Sequence, residues 1–497
     1  MCSRRALLLL VIVVALPLMS RATGYFNFNA RARGIYETIL TLRLNEAGQQ
    51  LARLKQDEPD NLIVYHLENY IDFFTVYISE DEQAYRHLLN NRDRRLDLVA
   101  AGDESSPYYL FVQAEIRLHW ALLRLRFEEY LPAFTDINRA HKLLLRNQEL
   151  FPSFIANQKD LGILHAAVGT VPDNFRWALG LLSSLEGTIE QGKREIEAVL
   201  DYASRHDFPY ALETRVLYTF LLLHLDGRPE AAWTALEAAG LRAETSPLHA
   251  FVLANVAMRT GHNDLALQWL EGRPRNPAFF AFPYLEYMHG LVKLRRLDTS
   301  ARSHFRAFLN RTRGRHFIKE AYQKLAWAEL LDGNLSGYHQ HMQSVLQLGR
   351  SSAGGDKNAL REAQQGEPPQ ADLLRARLLF DGGYYDRAAQ LLQSLSRDGF
   401  ASFDHQLEYL YRCGRVYHGQ HDYERALRFY EQTITLGRDY PAFFACNAAL
   451  QAGLIEEHRG RVSAARRYFN TCLEIDPDEY ATGLHQQAKA GLTRLED

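Results

Sequence analysis

Apolar residues in this chain recur at helical spacing and nowhere alternate with polar ones over the length of a strand. Leu118, Leu122, Leu125 and Tyr130, with Trp120 and Phe127 beside them, describe long amphipathic helices. Ala321 to Leu331, followed by Asp332-Gly333-Asn334, reads as a helix and its stop, and Val345 to Gly349 ends another. The pattern predicts an all-α chain with essentially no sheet. Between 60 and 210 the helices are interrupted at Phe151-Pro152-Ser153 and around Gly162, Gly169, Thr170, Val171 and Pro172. Gly180, Gly187 and Gly192 predict close helix packing there. The Ser-, Gly- and Pro-rich stretch 349–370 reads as a surface loop or linker with a short helix, Lys357 to Gln364, inside it. Tyr480 to Leu495 places Leu484, Ala488, Leu492 and Leu495 on one side, as a capping helix requires.

The clearest order lies near the C-terminus. Gly414 and Ala426 are twelve positions apart, Tyr417 lies between them, and Tyr430 follows one helical turn after Ala426. The order recurs downstream as Gly453, Gly460, Ala465, Phe469 and Pro477, and upstream as Ala376, Gly383, Tyr385, Ala388 and Leu392. Small residues at these places let two antiparallel helices approach, and the aromatics fill the angle between them. The pattern resembles the tetratricopeptide repeat. Ala388, Ala426 and Ala465 are spaced more widely than the family's usual period of about 34 residues, which predicts longer helices or links. Weaker traces occur at Gly34, Ala47, Leu51, Leu54 and Pro59, at Gly227 with Ala231 and Ala232, at Gly261 with Ala266, and at Gly290, Ala301 and Phe305. The resemblance implies an alpha-alpha superhelix of antiparallel helix pairs. Its expected divisions are 23–210 (one repeat-like pair and irregular helices), 211–348 (degenerate pairs), the linker 349–370, three repeats over 371–479, and a cap over 480–497.

The first 22 residues follow another logic. Arg4 and Arg5 precede an apolar run, Ala6 to Met19, and Ser20-Arg21-Ala22 places small residues where a signal peptidase reads. Cleavage after Ala22 is expected, with an uncleaved membrane anchor as the alternative. No later stretch is apolar enough to span a bilayer; Leu217–Leu225 is too short. Loss of Arg4, Arg5 and Arg21 takes the formal charge from -3 to -6, a balance that gives no bulk reason to bind nucleic acid. Cys413, Cys446 and Cys472 show no metal-ligand spacing and read as small buried residues.

No nucleophile elbow, phosphate loop or zinc-protease helix occurs, so no catalytic, metal or cofactor site is expected. His339 and His341 fall on different helix faces. Phe279, Phe280, Phe282 and Tyr284 form a dense cluster that reads as the packed joint between two units. The resemblance places function on the concave face of the first helix of each pair. Carried onto this chain, it gives Arg377 and Phe380, then Glu408, Tyr411, Arg415 and His418, then Asn447 and Glu457 as a protein-binding groove. Arg377 and Arg415 stand in register, and such a pair suits a carboxylate or an acidic segment. The resemblance thus implies a non-enzymatic scaffold or adaptor for a protein or peptide partner, set by the leader in a periplasm or cell envelope if the source is bacterial. The alternatives are a glycan- or peptide-binding module, favoured by an aromatic pocket in 60–210, and an enzyme, favoured by a buried cluster of titratable side chains.

Overall fold

A computed structural model describes residues 24–168 and 185–496. The leader, together with Gly169, Thr170, Val171, Pro172 and Gly180, lies outside the described residues. Among the described residues the fold is built from 24 α-helices and one short 3-10 turn, without strands; extended pairing is limited to single bridges between Gly24 and Gly102 and between Tyr25 and Asn61. No described helix is long and apolar enough to cross a membrane.

Short links force successive helices to run back along one another. The first stretch holds α1 (Ala30–Leu40), α2 (Leu44–Asp57), α3 (Ile63–Ser79), α4 (Glu82–Ala100), α5 (Tyr108–Arg126), α6 (Tyr130–Leu150), α7 (Ala156–Val168) and α8 (Ile189–Arg205). The middle holds α9 (Ala211–His224), α10 (Pro229–Ala238), α11 (Pro247–Arg259), α12 (Asn263–Gly272), α13 (Tyr284–Arg295), α14 (Ala301–Arg311), α15 (Ile318–Leu331) and α16 (Leu335–Gln347). An inserted helix, α17 (Gly354–Gln365), leads to α18 (Ala371–Asp381), α19 (Tyr385–Gln393), α20 (Phe403–Gly419), α21 (Tyr423–Gly437), α22 (Phe444–His458), α23 (Val462–Glu474) and α24 (Ala481–Arg494). Helix starts follow local chemistry. Asn29 and Asp81 accept from the first free amides of α1 and α4, and Pro229 and Pro247 open α10 and α11.

Packing within the C-terminal pairs explains their signature. A methyl on Gly414 would sit 2.6 Å from the Tyr430 ring, and one on Gly453 would sit 2.5 Å from Phe469. The small residue of the first helix is thus covered by the aromatic of the second, while Ala388, Ala426 and Ala465 are fully buried beside it. The turn inside each pair needs a left-handed residue: Gly383, His421 and Gly460 have φ of 78°, 60° and 69°. Of the weaker traces, Gly34 is not a close-approach position, since nothing lies within 4 Å of a Cβ added there.

Two expectations change. Residues 354–365 are not a helix adrift in a surface loop. Asp356 is buried and accepts from the amides of Phe317 (2.7 Å) and Glu320 (3.0 Å), so it caps α15, while Glu362 accepts from Gln323 (2.6 Å), Trp327 (2.8 Å) and Tyr338 (3.0 Å). The Phe279–Tyr284 cluster does not join neighbouring units only. Phe280 donates its amide to Leu42 O (2.7 Å), linking the loop before α13 to the end of α1. Beside it, Glu80 at the end of α3 accepts from the amides of Arg315 and His316 (3.2 Å each) and faces His316 Nδ1 (2.9 Å), and it pairs with Arg126. The array therefore closes on itself around its first turn. A second clasp joins Tyr384 to Asn263 (3.0 Å) and Asp264 (2.6 Å).

Burial alone would raise the pKa of Glu80, but His316, Arg126 and the backbone amides bring it down to about 2. A carboxylate depressed on folding stabilises the fold above its unfolded pKa, near 4.5, and loses that contribution as pH falls towards 2. The shift corresponds to about 3 kcal/mol. We expect urea midpoints measured from pH 5 down to pH 2 to fall less steeply for Glu80→Gln than for the wild type; parallel curves would remove the clasp from the account of acid stability.

Candidate functional site

The inner helices α18, α20 and α22 bring five of the eight anticipated groove residues into one connected patch. Arg415 lies over the Phe380 ring (4.7 Å) and donates to Tyr411 Oη (3.1 Å), and Asn447 donates to the same oxygen (2.8 Å). His418 Nδ1 lies 3.3 Å from Tyr430 Oη, and burial, followed by the charge of Arg415, pushes His418 down to about 4, so it is neutral at pH 7. Arg415 makes no ion pair with any described residue, and its buried Nε has no hydrogen-bond partner. Guanidinium groups of this kind are paired in most folded interiors, because the partial burial of an unpaired charge is costly.

The other three anticipated residues are engaged elsewhere. Glu408 is held by Arg412 on its own helix (2.8 Å). Glu457 receives two hydrogen bonds from Arg494 of α24 (2.6 and 2.7 Å), which anchors the cap. Arg377 reaches Asp381 at 3.9 Å and stacks on Trp327 (5.1 Å). That tryptophan also carries Lys324 on its face (3.7 Å). Burial pushes Lys324 down to about 8, with Arg377 adding to the effect and Glu320 opposing it. Arg295, Lys324, Arg377 and Arg415 thus supply one cation from each successive inner helix, α13, α15, α18 and α20, and Asp381 is the acid whose charge Arg295, Lys324 and Arg415 all feel. Sequence spacing found Arg377 and Arg415; Arg295 and Lys324 lie in pairs whose consensus is too worn to index.

A second cluster was not anticipated. Lys159 Nζ, on α7, lies 2.6 Å from Glu115 Oε1, 2.8 Å from Asp160 Oδ1 and 3.1 Å from Glu213 Oε1. Glu115 Oε2 faces His66 Nε2 and accepts from Tyr70 (2.8 Å each), and Glu213 accepts from Tyr36 (2.5 Å). Glu115 and Lys159 are 2% and 1% exposed. Burial works against both charges, yet Lys159 and His66 hold Glu115 well down and the surrounding carboxylates hold Lys159 well up. Asp160 moves the other way: burial, followed by the charge of Glu115, pushes it well up. Glu213 and Tyr70 line an adjoining cavity, and both Glu213 oxygens are occupied, by Tyr36 and Lys159. The cluster ties α1, α3, α5, α7 and α9 together.

Glu286, His289 and His304 place candidate ligand atoms within 4.8 Å of one another. The two imidazoles are stacked at 3.8 Å and 18°, so their in-plane lone pairs run side by side and do not converge on one ion. Arg273 already donates to Glu286 (2.6 Å) and His289 Nδ1 (3.2 Å). The arrangement is a hydrogen-bonded core group. Cys413, Cys446 and Cys472 are buried and free, with the sulfurs of Cys446 and Cys472 3.5 Å apart.

No family model and no curated protein matches the sequence. Among solved structures the chain is similar to a chain of Naa15/Naa10 bound to HypK-THB, at 14% identity and a TM-score of 0.26, covering 93% of this chain and 65% of that one. It is also similar to the TPR domain of P58(IPK), at 14% identity over 83% of this chain and 97% of that one, with a TM-score of 0.21. A chain of the APC/C hetero-tetramer Cut9–Hcn1 matches at 12% over 93% and 95%, with a TM-score of 0.27. At these identities and scores the likenesses say nothing of function; the TPR-like fold stands on the helix pairs themselves.

Proposed function

We propose that this chain is an exported scaffold or adaptor that holds an acidic segment of a protein partner along the inner face of α13 to α20. The observation that carries the reading is Arg415, stacked on Phe380 and hydrogen-bonded to Tyr411 without a carboxylate of its own. An incoming carboxylate completes that pair, and charge-assisted bonds of this kind are about twice as strong as neutral ones. Lys324 and Arg377, gathered on Trp327, extend the same sign along the groove. The leader's three-part pattern supports export, and a periplasmic or envelope-associated setting rests on it.

Crosslinking in the native cell, followed by affinity purification and mass spectrometry, tests this reading with wild type beside Arg377→Gln/Arg415→Gln. We expect a reproducible partner set that the double variant loses while its helical circular dichroism is unchanged. A partner set indifferent to both changes sinks the groove assignment. With a captured partner in hand, affinity is also expected to fall as pH rises through about 8, because Lys324 sheds its proton there and the attraction exists only below that value. Affinity that holds constant from pH 7 to pH 9 counts against Lys324 as a contact.

A further inference from the structure

A cavity of about 540 Å³ opens inside the first turn of the superhelix, bordered by inner helices α3, α5, α9, α11 and α13. Its wall includes Phe73, Phe74, Tyr77, Phe220, Phe251 and Tyr284, each only partly buried. Leu122, 48% exposed, faces the same space. Apolar surface left wet costs about 25 cal/mol per Å², so a concave concentration of this size points to an occupant. The volume falls in the range of small-molecule sites.

Two polar features mark the wall. Trp120 Nε1 can only donate, and it donates to Asn69 Oδ1 (3.0 Å). Asn69 must therefore turn its Nδ2 towards His119 Nδ1 (2.8 Å), which accepts. Burial pushes His119 down to about 4, so the ring is neutral and its proton sits on Nε2. That N–H has no partner among the described residues, on a side chain that lines the cavity. The second feature is Arg259, also on the lining, which is exposed and makes no ion pair with any described residue. Its charge, with those of Arg126 and Glu80, reaches the Tyr284 hydroxyl, and Glu80 is already paired with Arg126 and held by His316.

We propose that this cavity binds an amphipathic organic anion, with an acyl or aryl body against the aromatic wall and its anionic head on Arg259. His119 Nε2–H supplies a further donor. The clasp of Phe280 on Leu42 and of His316 on Glu80 closes the ring around the cavity, which suits a short molecule over a polypeptide that has to thread it. The site is separate from the Arg415 patch, and neither reading depends on the other.

The test uses the full chain, the dye anilinonaphthalene sulfonate as probe, and dodecanoate and dodecanol as competitors. Saturable dye fluorescence is expected, with dodecanoate displacing it about tenfold more effectively than the alcohol of equal length. Arg259→Gln should erase that preference and leave dodecanol unchanged. Leu122→Trp, which fills the cavity from an exposed position, should abolish dye binding at an unchanged melting temperature. Equal competition by acid and alcohol overturns the anionic head. Dye binding that survives Leu122→Trp overturns the cavity, and displacement by an apolar peptide but not by dodecanoate gives the space to a protein segment instead.

Discussion

Lys159→Met is expected to destabilise the fold by about 3–5 kcal/mol, the usual result of removing one partner from a buried ionic group. The reason is specific to the cluster. Lys159 is the one lysine among Glu115, Asp160 and Glu213, and without it Glu115 keeps its charge only through His66 and Tyr70 or else takes up a proton. Methionine matches the stem of lysine, so packing against Tyr210, over whose ring the ammonium sits at 5.5 Å, changes little. Urea denaturation at pH 7 measures the loss. The triple variant Lys159→Met/Glu115→Gln/Glu213→Gln should recover a large part of it, because it removes the charges together. A single variant within about 1 kcal/mol of wild type would show that the cluster does not hold the five helices.

The second large effect is steric. Gly162 on α7 and Gly192 on α8 lie at a helix crossing where a Cβ on Gly192 would come 2.2 Å from Gly162 O. Backbone cannot move aside as a flexible side chain can, so Gly192→Ala should cost about 2–3 kcal/mol. Gly48, in the middle of α2, provides the opposite case, with nothing within 4 Å of an added Cβ. Gly48→Ala should stabilise by about 0.5–1 kcal/mol through helix propensity alone. Both are read from denaturant midpoints at constant slope. The same sign for the two substitutions would mean that the α7–α8 approach is looser than described.

These two cases show what the sequence made legible and what it did not. Repeat signatures over 371–479 were readable because Gly414 and Tyr430, or Gly453 and Phe469, meet within one helical hairpin, so spacing carries the geometry. The Arg415 patch followed from the same register. The fates of Glu408 and Glu457 did not: one is settled by a rotamer on its own helix, the other by Arg494 beyond the last repeat. Lys159 meets Glu115 and Glu213 from 44 and 54 positions away, Tyr36 meets Glu213 from 177, and no local rule reaches that far. A signal was nevertheless present. Glu115 sits among Phe111, Val112, Ala114 and Ile116, and Lys159-Asp160 sits between Ala156 and Leu161, where charge has no reason to be unless it is answered inside. Composition misled in one place: the Ser, Gly and Pro residues of 349–370 suggested a solvated loop, whereas Asp356 inserts as the cap of a helix 38 positions earlier in the chain by start residue Ile318.

Repeat arrays made only of neighbour contacts can settle one unit at a time as the chain leaves the ribosome. This one cannot finish its first turn that way. The carboxylate of Glu80 is answered by amides 235 and 236 positions later, and Leu42 waits for Phe280. During synthesis, at about 5–20 residues per second, the opening helices therefore spend many seconds without the segment that completes them. Under the proposed export that delay has a use: the N-terminal helices stay short of their final stability, and so open to threading, until more than half of the polypeptide has been made.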